Sequence, residues 1–412
     1  MGLVVQKFGG TSVADAQKIN RAAKRAIDAK LAGNLVVVVV SARGKTTDEL
    51  EQMAYEITDN PSKREMDQLL STGEQISISL MAMAIQTAGH EAVSFTGGQV
   101  GLITDNAHSK ARIQRIDAER ITSQLDQGRI AIIAGFQGVD ENANITTLGR
   151  GGSDTTAVAL AAVLRADYCD IFTDVPGVFT ADPRIVPDAR KLDRISYDEM
   201  LELASLGAGV MHSRAVEFGK KYNVRIRVRS SATDEPGTEI CQEADTMEEI
   251  VVSGVSLKKD VAQITMDHIP DTPGIAADVF SRVAKSNIIV DDIIQTEHES
   301  GCATLSFTVD SRELKTAQKV IDEVTANWAG CKISYNNELA KVSAVGVGMR
   351  SHTGVAHSMF RALAQAKINI NAITTSEIKI SCLIGRGQGP QALRAIHKAF
   401  GLESEPAQEG IK

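Results

Sequence analysis

The apolar run Leu3-Val4-Val5-Gln6-Lys7-Phe8 predicts a short buried strand. Gly9-Gly10-Thr11-Ser12-Val13 interrupts it, and apolar residues at helical spacing follow from about Asp15 to Leu31. Leu35 to Ser41 is a second strand, and its unbroken β-branched run is the pattern of a parallel strand covered on both faces. Helical periodicity returns from Glu65 to Thr87. A strand at Arg129 to Ala134, a helix opening at Ser153, and strands at Tyr168 to Thr173 and Val224 to Val228 continue the rhythm. Such alternation predicts an α/β domain with a largely parallel sheet. Ala232 to Thr238 is polar and reads as a loop. Gln242 to Glu249 is acidic without a core pattern, which puts a domain boundary near 240–250, between regions 1–245 and 246–412.

The second region carries an internal repeat. At a fixed offset of 80 residues, Gly274 pairs with Gly354, Phe280 with Phe360, Ala284 with Ala364, Ile288 with Ile368, Val290 with Ile370 and Ile293 with Ile373. Each copy reads as strand, turn, helix, strand, strand, helix, most of a ferredoxin-like unit. The second copy lacks a final strand, whereas Ile250 to Leu257 is a strand without a place in the first. Two interleaved units follow: the first spans about 262–336, the second about 341–412 plus the strand 250–257.

Composition narrows the function classes. Forty-four basic against 52 acidic residues give a net charge of −8, which excludes a broadly basic nucleic-acid-binding surface. A hydrophobic fraction of 43% supplies several cores. The five cysteines, at 169, 241, 302, 331 and 382, form no CxxC pair and read as small buried hydrophobes of a reducing compartment. The longest apolar run, Leu35 to Val40, is too short to span a membrane, and no secretion signal opens the chain, so a cytoplasmic protein is expected.

Five stretches carry candidate chemistry. Lys7-Phe8-Gly9-Gly10-Thr11-Ser12 ends a strand with two glycines that let backbone N–H groups approach a phosphate, while Lys7 supplies a mobile cation. Leu148-Gly149-Arg150-Gly151-Gly152-Ser153-Asp154 places an arginine fork among glycines, where an anion must offset it. Asp154 alone reads equally as a helix-start charge behind Ser153 as N-cap. Thr173-Asp174-Val175-Pro176-Gly177-Val178-Phe179-Thr180-Ala181-Asp182-Pro183-Arg184 exposes polar groups after a strand. Ser71-Thr72-Gly73-Glu74-Gln75 opens a long apolar helix, with Glu74 as first-turn charge in the bland alternative. Ser41-Ala42-Arg43-Gly44-Lys45-Thr46-Thr47-Asp48 either holds a polar substrate or caps a helix. Together they describe a site for a phosphate donor and a small acidic substrate.

The first three of these stretches, with the paired C-terminal modules, resemble the aspartokinase group of the amino acid kinase family over essentially the whole chain. The resemblance implies an αβα-sandwich kinase domain followed by two ACT domains. It implies transfer of phosphate from ATP, carried with Mg²⁺, to the side-chain carboxylate of L-aspartate. By position, Lys7 would stabilise the transferring group, and Asp154 would organise the site as the second catalytic residue. Thr47, Glu74, Arg150, Gly151, Gly152 and Ser153 would hold aspartate, Glu74 taking its amino group and Arg150 its α-carboxylate. Lys7, Phe8, Gly9, Gly10, Ser41, Thr173, Asp174, Phe179, Thr180, Asp182 and Arg184 would line the ATP site. No protein cage for a metal is implied. Phe179 stands where many members carry an aromatic hydroxyl, and Gly209 where some carry Lys.

In the second region the resemblance implies feedback by lysine, threonine or both. The effector residues would be Asp271, Gly274, Ile275, Ala276, Asp291 and Gln295, faced by Asn369, Ile370 and Asn371. The expected assembly is a homodimer, or an α₂β₂ complex whose regulatory subunit starts near Met247. Neither nucleic acid nor membrane is an expected partner. Two other readings compete: another amino acid kinase acting on glutamate or acetylglutamate, and a non-catalytic amino acid sensor. The Lys7 to Ser12 run with the ACT pair weighs against the first. The joint presence of Lys7, Glu74, Arg150 and Asp154 weighs against the second.

Overall fold

A computed structural model describes residues 2–205, 210–242, 251–298, 301–326, 328, 330–350 and 352–403. Gly209, Met247 and Ile250 lie outside the described residues. The chain divides into two compact units, Met1–Phe179 with Lys191–Met247, and Thr180–Arg190 with Glu248–Lys412.

In chain order the first unit contains β1 (Leu3–Phe8), α1 (Ala16–Leu31), β2 (Leu35–Val40), α2 (Thr46–Ile57), α3 (Lys63–Thr87), β3 (Ala92–Phe95), β4 (Leu102–Thr104), β5 (Ile113–Ile116), α4 (Glu119–Asp126), β6 (Ile130–Ala134), β7 (Gln137–Val139), β8 (Ile145–Thr147), α5 (Gly152–Val163), β9 (Tyr168–Thr173), β10 (Arg194–Ser196), α6 (Tyr197–Ser205), α7 (Ser213–Tyr222), β11 (Ile226–Ser230) and β12 (Thr238–Cys241). The main sheet runs β10-β12-β11-β9-β1-β2-β6-β3, all parallel except the β11–β12 pair. Val36 to Val40 are each at most 2% exposed, because α1 and α3 cover one sheet face and α5 the other. This double cover is what the continuous valine run requires. The chain leaves β1 for β2 on one side and returns as β9 on the other. The carboxyl end of β1 therefore stands at a topological switch point, where open α/β sheets bind ligands. The strand expected at Val224–Val228 is β11, and the polar stretch read as loop ends in a further strand, β12, antiparallel to it.

The second unit contains β13 (Gly254–Pro270), α8 (Ile275–Lys285), β14 (Ile293–His298), β15 (Cys302–Asp310), α9 (Leu314–Thr325), β16 (Lys332–Val345), α10 (Val355–Gln365), β17 (Ala372–Thr375), β18 (Lys379–Gly385) and α11 (Gly389–Ala399). One six-stranded sheet, β14-β15-β13-β16-β18-β17, serves both modules. Its two central strands are shared end to end. Gly254–Lys258 pairs with Lys341–Val345, and Val255 packs with Val342, Met359 and Ile384. Farther along β13, Ile264 and Met266 pack with Val279, Phe307 and Ile321. The segment Thr180–Arg190 also belongs here: Ala181 and Val186 join the second module's core, and Val255 N donates to Thr180 O at 2.7 Å.

The repeat has a backbone cause. Gly274 and Gly354 precede α8 and α10 with φ of 105° and 95°, and a Cβ at either would meet nothing within 4 Å. Gly274→Ala and Gly354→Ala are thus expected to destabilise through backbone strain alone, by about 1 kcal/mol each. Gly387→Ala has open space and no positive φ, and is expected to stabilise slightly, by about 0.5 kcal/mol. Denaturant midpoints check the opposite signs.

Candidate active site

Three strand ends converge at the switch point. Gly9 N donates to Phe172 O (3.3 Å), Ser41 N to Phe8 O (3.1 Å) and Gly44 N to Gly10 O (2.9 Å), which ties the turns after β1, β2 and β9 together. Lys7, the penultimate residue of β1, reaches α5: its Nζ lies 2.5 Å from Asp154 Oδ1, with both side chains 11% exposed. That oxygen has no hydrogen-bond partner besides this ion pair. Asp154 sits in the first turn of α5, but Ser153 does not cap the helix. Gly151 does, in a left-handed conformation with φ of 69°. A Cβ there would strike the His212 side chain at 2.2 Å, so only glycine lets the turn pass under His212. Burial lowers the His212 pKa against the pull of Asp154.

Glu74 is not a first-turn charge. Helix α3 begins at Lys63, capped by Ser62, which places Glu74 three turns inside, facing the end of β2. Its Oε1 accepts from Ala42 N (2.9 Å), while Oε2 is buried without a partner. Burial raises the Glu74 pKa to about 7, although the Ala42 N–H opposes the shift. A carboxylate desolvated on one oxygen with nothing opposite it is built to receive a cation.

The other candidates divide. Arg150 is exposed and forms no ion pair among the described residues. Thr47 is half-buried in the first turn of α2, and Asp174 is exposed, accepting from Thr173 Oγ1 (3.1 Å). Phe179 is half-buried and bridges to Lys191. Thr180 departs from the expected nucleotide-lining role: it is 0% exposed in the second unit, its hydroxyl bonded to His397 Nε2 (2.9 Å). Asp182 grips Arg184 through two contacts of 3.0 and 2.9 Å. Asp291, expected among the effector residues, is held by the buried Lys341 Nζ; burial pushes its pKa up, but Lys341 and Lys258 hold it below the usual range. Two residues carried no motif. Arg214 donates to Leu148 O (2.9 Å) and Ala111 O (2.8 Å), anchoring the glycine-rich turn, and Asp67 is a fully buried carboxylate on α3. The usable signal for Asp67 is its place seven residues before Glu74, on the same buried helix face.

The amino acid kinase family model matches residues 2–230, and two ACT domain models match residues 263–328 and 342–400. Aspartokinase 2 of Bacillus subtilis is 51% identical over 407 residues, covering 99% of this chain and 100% of that protein. The chain belongs to the aspartokinases of the amino acid kinase family. Aspartate kinase of Pseudomonas putida is 48% identical over 411 residues, covering 100% of both chains. Among solved structures, E. coli aspartokinase III in complex with aspartate and ADP (R-state) superposes with a TM-score of 0.82 at 26% identity, over 96% of this chain and 99% of that one. The same enzyme with lysine and aspartate (T-state) gives 0.75 at 26% identity, over 97% and 99%. The Lys7–Asp154 pair, Glu74 and Arg150 all lie within the residues that the amino acid kinase model matches. Among the described residues no helix is long and apolar enough to cross a membrane.

Proposed function

We propose that the chain transfers the γ-phosphoryl group of ATP to the side-chain carboxylate of L-aspartate, giving 4-phospho-L-aspartate and ADP. The observation that carries this reading is the buried, half-unpartnered Glu74 carboxylate in the same unit as the Lys7–Asp154 pair and the cationic Arg150 turn. An α-amino acid presents one ammonium and one carboxylate, which Glu74 and Arg150 complement. Thr47 and the backbone of Gly151, Gly152 and Ser153 complete the aspartate site. Phe8, Gly9, Gly10, Ser41, Thr173, Asp174 and Phe179 hold the nucleotide.

The nucleophile is a carboxylate with an unperturbed pKa of about 3.9, so no general base is needed. The aspartate oxygen forms a bond to the γ-phosphorus as the bond to the β,γ-bridging oxygen breaks, and ADP leaves with that electron pair. Catalysis is then positioning and charge neutralisation. Asp154 aims Lys7 Nζ, and the Gly9-Gly10 turn, whose Gly9 N–H is engaged by Phe172 O, brings side-chain-free backbone close to the phosphates. Mg²⁺ carried in with the nucleotide would supply further charge neutralisation. No group of three ligating side chains awaits it among the described residues, and Asp154 and Asp174 are oxygen donors of the hard type it takes. Lysine, threonine or both act through the ACT modules to favour a less active state.

The test is ADP release with Mg-ATP and L-aspartate, L-glutamate or no acceptor, with and without lysine plus threonine. Aspartate-dependent release damped by the amino acids is expected; release indifferent to aspartate, from folded protein, defeats the reading. Arg150→Ala is expected to raise the aspartate KM about tenfold with the ATP KM unchanged. An unchanged aspartate KM removes Arg150 from the substrate site.

A further inference from the structure

We infer that Asp67 is a positioning residue for the acidic substrate, fixing from within α3 the loop that carries Arg150. The inference rests on the proposed role of Arg150. The Asp67 side chain is 0% exposed, and such a carboxylate persists only when donors surround it. Its donors come from two distant segments. Thr147 Oγ1 donates to Oδ1 (2.6 Å), Ser109 N lies 3.1 and 3.0 Å from the two oxygens, and His108 Nδ1 lies 2.8 Å from Oδ2. These segments are also joined to each other. Ala111 N donates to Thr147 O (2.9 Å), and Arg214 bridges Leu148 O and Ala111 O. Thr147 stands three residues before Arg150, and among the described residues Arg150 forms no ion pair.

Asp67 and Glu74 share the buried face of α3, two turns apart. One rigid helix thereby places both recognition groups: Glu74 directly, and Arg150 through Asp67, Thr147 and the turn that follows. Asp67 is fully enclosed by these loops, so it acts on the substrate through the Arg150 turn. A residue that only stabilised the fold would not separate the two substrates kinetically. This one acts on aspartate and leaves ATP alone.

Thr147→Val removes one donor at constant shape, Thr147→Ser restores it, and Asp67→Asn removes the charge. Thr147→Val is expected to raise the aspartate KM about tenfold, and Asp67→Asn further, with kcat within about threefold and the ATP KM unchanged. Thr147→Ser should return the aspartate KM to the wild-type value. Without substrate, amide exchange in 108–111 and 147–151 should quicken in Thr147→Val while the strands of the main sheet keep their protection. An unchanged aspartate KM overturns the inference, as does a loss shared equally by kcat and both KM values in step with the unfolding midpoint. Wild-type protein without aspartate-dependent turnover would defeat the functional reading separately, and the exchange measurement would still decide whether Asp67 clamps the turn.

Discussion

Lys7→Met is expected to lower kcat about a thousandfold while moving both KM values only a few-fold. The ammonium is already aimed: it is 11% exposed and held 2.5 Å from Asp154, so little reorganisation precedes reaction. Negative charge shifts toward the γ-phosphoryl oxygens and the leaving oxygen during transfer, and a fixed cation in a water-poor site stabilises that shift more than the ground state. The same substitution strands the Asp154 carboxylate, and breaking a nearly buried pair by one partner costs about 3–5 kcal/mol of stability. A double variant separates the effects. Lys7→Met with Asp154→Asn should recover most of the unfolding midpoint and none of the turnover. Recovery of turnover along with the midpoint would reduce the pair to a structural strut. Wild-type turnover in the folded single variant would remove Lys7 from catalysis.

What could be read before the structure follows from the range of the signal. The valine run of β2 and the glycines at 274 and 354 are local: burial on both faces and a left-handed backbone each leave a mark within a few residues. The 80-residue repeat survives because the two helices that those glycines open fill equivalent places in two cores. Glu74 was legible as a candidate but not in its role. A helix start is signalled weakly, and the true cap, Ser62, lies twelve residues upstream. Asp67 was invisible because its donors are 41 to 80 residues away and belong to no motif. The excursion Thr180–Arg190 was hidden for the same reason. Ala181 and Val186 are ordinary small apolar residues, and only the fold reveals that they pack with Leu393 and Ile396 more than 200 positions later.

Glu74→Gln is expected to cut kcat/KM for aspartate by about a hundredfold or more, because the substrate ammonium then meets an uncharged amide in a buried site. The pH dependence makes this prediction specific. With its pKa raised to about 7, Glu74 is largely protonated in the free enzyme at mildly acid pH, and a protonated carboxyl cannot pair with an ammonium. Both carboxyls of aspartate are ionised above about pH 5, and its ammonium, beside its own carboxylate, stays protonated through about pH 8. The wild-type kcat/KM should therefore fall about tenfold per unit as the pH drops below about 7, while kcat stays flatter because bound ammonium holds Glu74 ionised. In Glu74→Gln that limb should vanish. Stability should move the opposite way. A carboxyl whose pKa is about 7 in the fold, against an ordinary 4.5, binds more protons folded than unfolded. Its stabilising effect is complete below about pH 4.5 and is lost as the pH rises through about 7, a change of about 3 kcal/mol. Saturating aspartate should restore much of that loss at high pH, since its ammonium replaces the missing proton. Unfolding midpoints at about pH 5.5 and pH 8.5, with and without aspartate, test the coupling directly. A wild-type kcat/KM that is flat from about pH 6 to pH 8 would remove Glu74 from ammonium recognition, whatever the variant does.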